Sequence, residues 1–177
     1  MTNLTQKIFF GAAICIVTLA LFLVVFGASA VHTAANTVTP AADQVPWTAT
    51  GTASLTGVTK LPGGLTQLDG VTAGNATHLG DFTGPVTRIQ DNQGNFASTF
   101  VFIGANEKGS VLLTTSGRFE TSKDKCVITS TGIYTVTGGT GAFANATGSG
   151  TISTQTDLCA GTATGTFTGT ISRPNSN

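Results

Sequence analysis

From Thr162 to Ile171 the chain alternates without a break. Thr162, Thr164, Thr166, Thr168 and Thr170 fall on one side, and Ala163, Gly165, Phe167, Gly169 and Ile171 on the other. A period of two marks a β-strand with one buried face, because successive side chains point to opposite faces of a sheet. Helical periodicity of 3.6 would scatter these threonines around a cylinder, and β-branched residues favour extended backbone in any case. The same alternation begins near Val45 and recurs along the chain, while no stretch sustains a helical pattern. It predicts eight strands, at 48–58, 68–77, 84–90, 96–103, 111–115, 127–137, 148–156 and 162–172.

Turn signals separate these runs: Leu61-Pro62-Gly63-Gly64, Asp91-Asn92-Gln93-Gly94-Asn95, Ala105-Asn106-Glu107-Lys108-Gly109 and Gly138-Gly139-Thr140-Gly141. Short strands with frequent turns imply an antiparallel sandwich or barrel. Two identical pentads, Thr48-Ala49-Thr50-Gly51-Thr52 and Thr162-Ala163-Thr164-Gly165-Thr166, open the first and last strands. If those strands are neighbours the sheet closes, which removes both exposed edges. Glycines inside strands occur at bulges, bends and close backbone approaches, so Gly51, Gly132, Gly150, Gly165 and Gly169 are expected where curvature is tightest. An eight-stranded barrel has an interior just wide enough for its own side chains or for one small ligand, and both fillings are open at this stage.

Charged residues make up only 9% of the chain against about 25% in ordinary domains, so its surface must rely on hydroxyls, and its 34 threonines supply them. At 40% hydrophobic residues with a formal balance of zero, the chain lacks the composition of a disordered protein. The absence of a Lys/Arg cluster argues against a nucleic-acid partner, whose phosphates would demand positive charge.

Residues 8–27 are free of charge, follow Lys7 and precede Ala28-Ser29-Ala30. This is the pattern of a secretory signal peptide over 1–30, cleaved after Ala30. The alternative is an uncleaved segment that tethers the protein to a membrane. Cys15 lies mid-run behind Ile14, which is no lipoprotein site. Residues 31–45, with small side chains and no aromatic ring, are expected to form a flexible tether, 46–173 a single barrel domain, and 174–177 a tail. Cleavage leaves two cysteines, Cys126 and Cys159, and an even count in an exported chain predicts a disulfide between them. The expected location is the periplasm or the extracellular space, with no membrane association after cleavage.

Candidate chemistry is sparse. Gly138-Gly139-Thr140-Gly141-Ala142-Phe143 lacks the lysine and the helix of a phosphate-binding loop, so it is expected to be a structural turn with Phe143 plugging one end of the barrel. His32 falls in the tether, which leaves His78, with Asp81 nearby, as the one histidine that could act as a general base. A hydrogen-bonded loop histidine is the plainer expectation. Asp69, Asp81, Asp91 and Asp157 sit among turn formers and are expected to cap turns. A glycosidase pair would need two of them facing one another across a cleft. Arg88 is the basic residue inside a predicted strand; solvent is its expected environment, and the alternative is the interior beside a carboxylate. Phe96, Phe100 and Phe102 share one strand face and, with Phe167 and Tyr134, suit either a packed core or the wall of an apolar pocket. No residues with metal-ligand spacing stand out, and no cofactor is expected. Asn75-Ala76-Thr77 and Asn145-Ala146-Thr147 match the common glycosylation sequon.

The stretch from Gly132 to Gly150, with Gly138-Gly139-Thr140-Gly141-Ala142-Phe143 at its centre, resembles the GGTG-x-F turn of the allene oxide cyclase and dirigent barrel superfamily. Gly74–Thr83 and Gly165–Thr170 are also similar to secreted bacterial members, and the resemblance spans Trp47 to Ser172. It implies a calycin-like eight-stranded antiparallel barrel. Plant relatives form trimers and guide cyclisation or radical coupling of small hydrophobic molecules inside the barrel, so a homo-oligomer is implied as well. The Thr- and Gly-rich strands here offer no acidic pair to align with those enzymes. The leading expectation is an exported, non-catalytic barrel that binds a small hydrophobic ligand among Phe96, Phe100, Phe102, Tyr134 and Phe167. One alternative is a cyclase- or isomerase-like enzyme in which His78, Asp81 or Arg88 supplies polarity to the cavity. The other is a structural or cell-surface module whose barrel is filled by its own side chains.

Overall fold

The computed structural model describes residues 43–105, 107–172 and Pro174. Expectations about the signal segment, Cys15, His32, the tether before residue 43 and the tail beyond Pro174 lie outside the described residues.

Eight strands form one closed antiparallel barrel, each paired with its neighbours in sequence and β1 paired with β8. They are β1 (Gln44–Leu61), β2 (Leu65–Ala76), β3 (Gly80–Gln90), β4 (Asn95–Gly104), β5 (Gly109–Thr121), β6 (Val127–Gly141), β7 (Gly148–Asp157) and β8 (Thr162–Ser172). Closure occurs along the two pentads, where Gly51 pairs with Gly165 and Thr50 with Thr166. No strand edge is left open for further pairing, since only full closure removes edges. Outside, Thr48, Thr50 and Thr52 pair with Thr168, Thr166 and Thr164, and all six are exposed. Hydroxyls thus cover this face in place of charges.

Seven of the eight strands are longer than the alternation predicts, and β8 has the expected bounds. β1 begins at Gln44, inside the stretch expected to be tether, and pairs there with Ser172. β5 continues to Thr121 because Gly117, at an inward position, only interrupts the apolar pattern, which Phe119 resumes. A further difference is in the glycine-rich segment. Gly138 has φ of 145°, and a register shift opposite Leu112/Leu113 forms a bulge that keeps Gly139 and Thr140 paired with Val111 and Ser110. The segment is therefore strand to Gly141, and the turn begins only at Ala142, with Phe143 N–H donating to the Thr140 carbonyl.

Antiparallel order gives the barrel two distinct ends. At the end formed by the β2–β3, β4–β5 and β6–β7 connections, Trp47, Leu79, Phe82, Phe102, Tyr134, Phe143 and Ile171 belong to one continuous buried cluster. Trp47 touches Tyr134 at 5.4 Å between ring centroids, and Phe82 stacks on Phe102 at 4.0 Å. That end is packed solid. At the opposite end the Cys126–Cys159 disulfide, with Cα atoms 5.3 Å apart, joins the β5–β6 connection to the β7–β8 connection. Here the inward positions include Arg88, Ser98, Thr115, Ser130 and Thr156, all buried. Polar side chains thus join apolar ones such as Phe96 and Ile128 in the core toward this end.

Candidate functional site: the interior cavity

Pairing registers carry rows of inward residues around the barrel. One row runs Thr154 (β7), Gly165 (β8), Gly51 (β1), Gly74 (β2) and Phe82 (β3). The next runs Thr156, Ala163, Ala53 and Thr72 along the same strands. The repeated pentads thus set glycine and alanine side by side where other strands contribute Leu, Phe or Arg. Missing side-chain volume leaves a cavity of about 80 Å³ against β1 and β8. A single water needs roughly 10–15 Å³ measured this way, so the space suits several waters or one compact organic group.

Most of the wall is apolar: Leu55, Leu68, Val86, Phe96, Phe100, Phe102, Ile152 and Phe167. Phe100 and Phe102 meet Phe167 edge to face, at 5.3 and 5.4 Å between centroids. Such mutual contacts fix the rings and make the wall rigid. The polar lining comprises Thr72, Ser98, Thr154, Thr156 and Arg88, together with Thr52 and Thr164 at the β1–β8 seam.

Arg88 is only 8% exposed. The expectation of solvent is thus corrected: on β3 the even positions Phe82, Gly84, Val86 and Arg88 all face inward. Its phase with Phe82 and Val86 was the signal available in the sequence. Nor does a carboxylate stand beside it, as the interior alternative required. Nη1 instead donates to Ser130 Oγ of β6 at 2.9 Å. The guanidinium carbon lies 4.2 Å from the Phe96 ring centroid and 5.2 Å from that of Phe119, so both rings contribute cation–π attraction. Nε and Nη2 are buried without a hydrogen-bond partner among the described residues. Burial lowers the pKa of Arg88 to about 10, and the group stays cationic at neutral pH.

His78 and Asp81 do not join it. His78 takes the left-handed conformation, φ 69°, in the exposed β2–β3 turn, where its carbonyl accepts from Lys108 Nζ. Asp81 occupies an outward position on β3 and accepts from Asn75 Nδ2 at 2.9 Å. Neither lines the cavity: His78 is held out in the exposed turn and Asp81 faces outward by strand phase. The remaining aspartates are also committed elsewhere. Asp91 accepts from the Gln93 and Asn95 amides, Asp157 from those of Cys159 and Ala160, and Asp69 from Gln67 and Thr87. The Asn95 side chain and amide hold Asp91 below the usual carboxylate range. None of the three lines the cavity, and no cluster of three metal-ligating side chains occurs among the described residues.

Phe96, Phe100, Phe102 and Phe167 line the cavity, whereas Tyr134 lies in the packed cluster and does not. Trp47, Thr154 and Ser130 went unremarked in the alternation. Trp47, the single tryptophan, is fully buried at an inward position in phase with Ala49 and Gly51, and that phase was its only signal.

Tyr134 donates weakly to the Thr170 carbonyl at 3.4 Å, and desolvation pushes its pKa up to about 12. Keeping this phenol neutral stabilises the fold fully below pH 10, and that contribution is lost as pH approaches about 12. Arg88 acts in the opposite sense: its folded value of about 10 lies well below the ordinary arginine value, so the cost of burying its charge is relieved as pH rises through the same window. Wild-type stability is expected to change little there. Tyr134→Phe should lose only the falling component, so its urea midpoint should gain on wild type between pH 9 and pH 11.5. Parallel pH profiles would show that Tyr134 ionises equally in both states.

Comparison with known proteins returns no match: no protein-family profile, no curated protein and no solved structure matches the chain.

Proposed function

We propose that this chain is an exported binding protein whose barrel takes up one small, mainly apolar molecule. The observation that carries the reading is the cavity of about 80 Å³ walled by Phe96, Phe100, Phe102 and Phe167 and held open by the small residues of β1 and β8. Ligand sites are typically concave, apolar and provided with a few polar groups, and this one meets that description. Binding is favoured over turnover because, among the described residues, Arg88 is the only titratable side chain on the cavity wall. With a pKa of about 10 it is a poor proton donor or acceptor near neutral pH. The Cys126–Cys159 pairing supports an oxidising compartment, in agreement with the signal-like residues 1–30. A closed eight-stranded antiparallel barrel supports assignment to the calycin-like subtype of the allene oxide cyclase and dirigent superfamily.

The test uses toluene as a probe, followed by chemical-shift changes in the purified protein. Saturable shifts are expected at Phe100 and Phe167. Ala163 faces the cavity, so Ala163→Leu should fill it and weaken toluene binding at least tenfold while the barrel stays folded. Failure of wild type to bind toluene and its carboxylate and amide analogues would sink the reading. Binding that survives Ala163→Leu unchanged would place the ligand elsewhere.

A further inference from the structure

Resting on that reading, we infer that the ligand of the cavity is an anion, a compact apolar carboxylate held by the Nε/Nη2 edge of Arg88 with its hydrocarbon part against Phe100 and Phe167. A buried charge needs both a counter-charge and hydrogen bonds, because burial removes its hydration. Arg88 has neither in full. Of its five N–H donors, only one on Nη1 is engaged among the described residues, by Ser130 Oγ. Phe96 and Phe119 lie against the guanidinium and contribute cation–π attraction, but they satisfy none of the remaining donors.

Nε and Nη2, the pair that recognises a carboxylate, are fully enclosed, so the Arg88 side chain must turn for this edge to meet a ligand in the cavity. Nε–H and one Nη2–H point the same way from the planar group and form two parallel bonds to two oxygens. Thr154, a residue of the same cavity wall, has its Oγ1 likewise enclosed without a partner among the described residues, and rotation of its side chain would present a hydroxyl donor. No carboxylate of the described residues lines the cavity to compete for the site. A cationic ligand would face repulsion from Arg88, and a neutral one would leave its charge uncompensated. A bare inorganic anion could pair with the guanidinium, but it would leave the aromatic wall unused. One guanidinium matches one negative charge, and the limited volume favours a ring or short chain over a long acyl tail.

The test compares benzoate with benzamide, which has the same shape and no charge, using calorimetric titration of the purified protein at neutral pH. Benzoate is expected to bind at least tenfold more tightly than benzamide. Arg88→Met should cost benzoate at least tenfold and leave toluene within about threefold, and Arg88→Lys, which keeps charge but loses the fork, should fall between. Should Arg88→Met fail to fold, the wild-type preference for benzoate decides alone. Toluene binding without a preference for benzoate would overturn the anion and leave the apolar-ligand reading standing. Failure of all three probes would overturn both. Tight benzoate binding unaffected by Arg88→Met in a folded variant would also overturn the inference, because the anion would then sit elsewhere.

Discussion

Gly169→Ala is expected to abolish the folded barrel, although it adds a single methyl group. Tyr134 (β6), Gly150 (β7), Gly169 (β8) and Trp47 (β1) form one row across four strands. The two aromatic side chains lean toward one another over the two glycines and touch at 5.4 Å. A Cβ on Gly169 would lie 2.2 Å from the Ser149 carbonyl oxygen, 2.6 Å from the Gly150 Cα and 2.5 Å from the Tyr134 hydroxyl. Two of these obstacles are backbone held by strand pairing, so no rotamer change relieves them. Ordinary overpacking costs about 1–3 kcal/mol, but that figure assumes neighbours that can shift. Here the cost should reach ~5 kcal/mol or more, the scale of a small domain's whole stability. Gly165→Ala is the control. Its Cβ would meet chiefly the Thr154 Cγ2 methyl at 3.1 Å, which can rotate away, so a change within ~1 kcal/mol is expected. Near-UV circular dichroism and soluble yield of the two variants decide the matter. A folded Gly169→Ala protein with near-wild-type melting would mean that β7 and β8 do not approach so closely.

Strand number and phase were legible because alternation depends only on which face is buried, and the threonine side of each run is unambiguous. The pentads went further, since two copies of one pattern with the same small residues marked the seam where β1 meets β8. What they did not disclose was the cavity. It arises from the registers Gly51–Gly165 and Ala53–Ala163, and register is a long-range property with no local signal. Arg88 shows the limit of composition as a guide. Arginine is seldom buried without a partner, so residue type points to solvent where the phase shared with Phe82 and Val86 points inward. Buried polar residues that break a pattern are where functional sites are expected, and Arg88 breaks it on the cavity wall. The glycine-rich segment failed for a local reason: glycines suggest a turn, but here they allow a bulge that keeps the strand paired to Gly141.

Replacing both cysteines, Cys126→Ser with Cys159→Ser, is expected to lower the unfolding free energy by about 3–4 kcal/mol. The cysteines lie 33 residues apart, and cross-linking a loop of that length removes roughly this much chain entropy from the unfolded state. The native state should change unevenly. The linked connections lie at the end where Ser130, Thr156 and Arg88 occupy inward positions, while the aromatic cluster that includes Trp47, Tyr134 and Phe143 fills the other end. Without the cross-link, the β6–β7 pairing from Val127–Asp157 to Thr129–Gln155 has little apolar burial beneath it beyond Ile128. Hydrogen exchange is therefore expected to accelerate there first, with the Tyr134–Gly150 region retaining its relative protection. The same loosening should weaken probe binding, because Thr154 and Thr156 reach the cavity from β7. Uniform acceleration along β6 and β7 would instead mean that the barrel opens as one unit and that the disulfide acts on the unfolded chain alone.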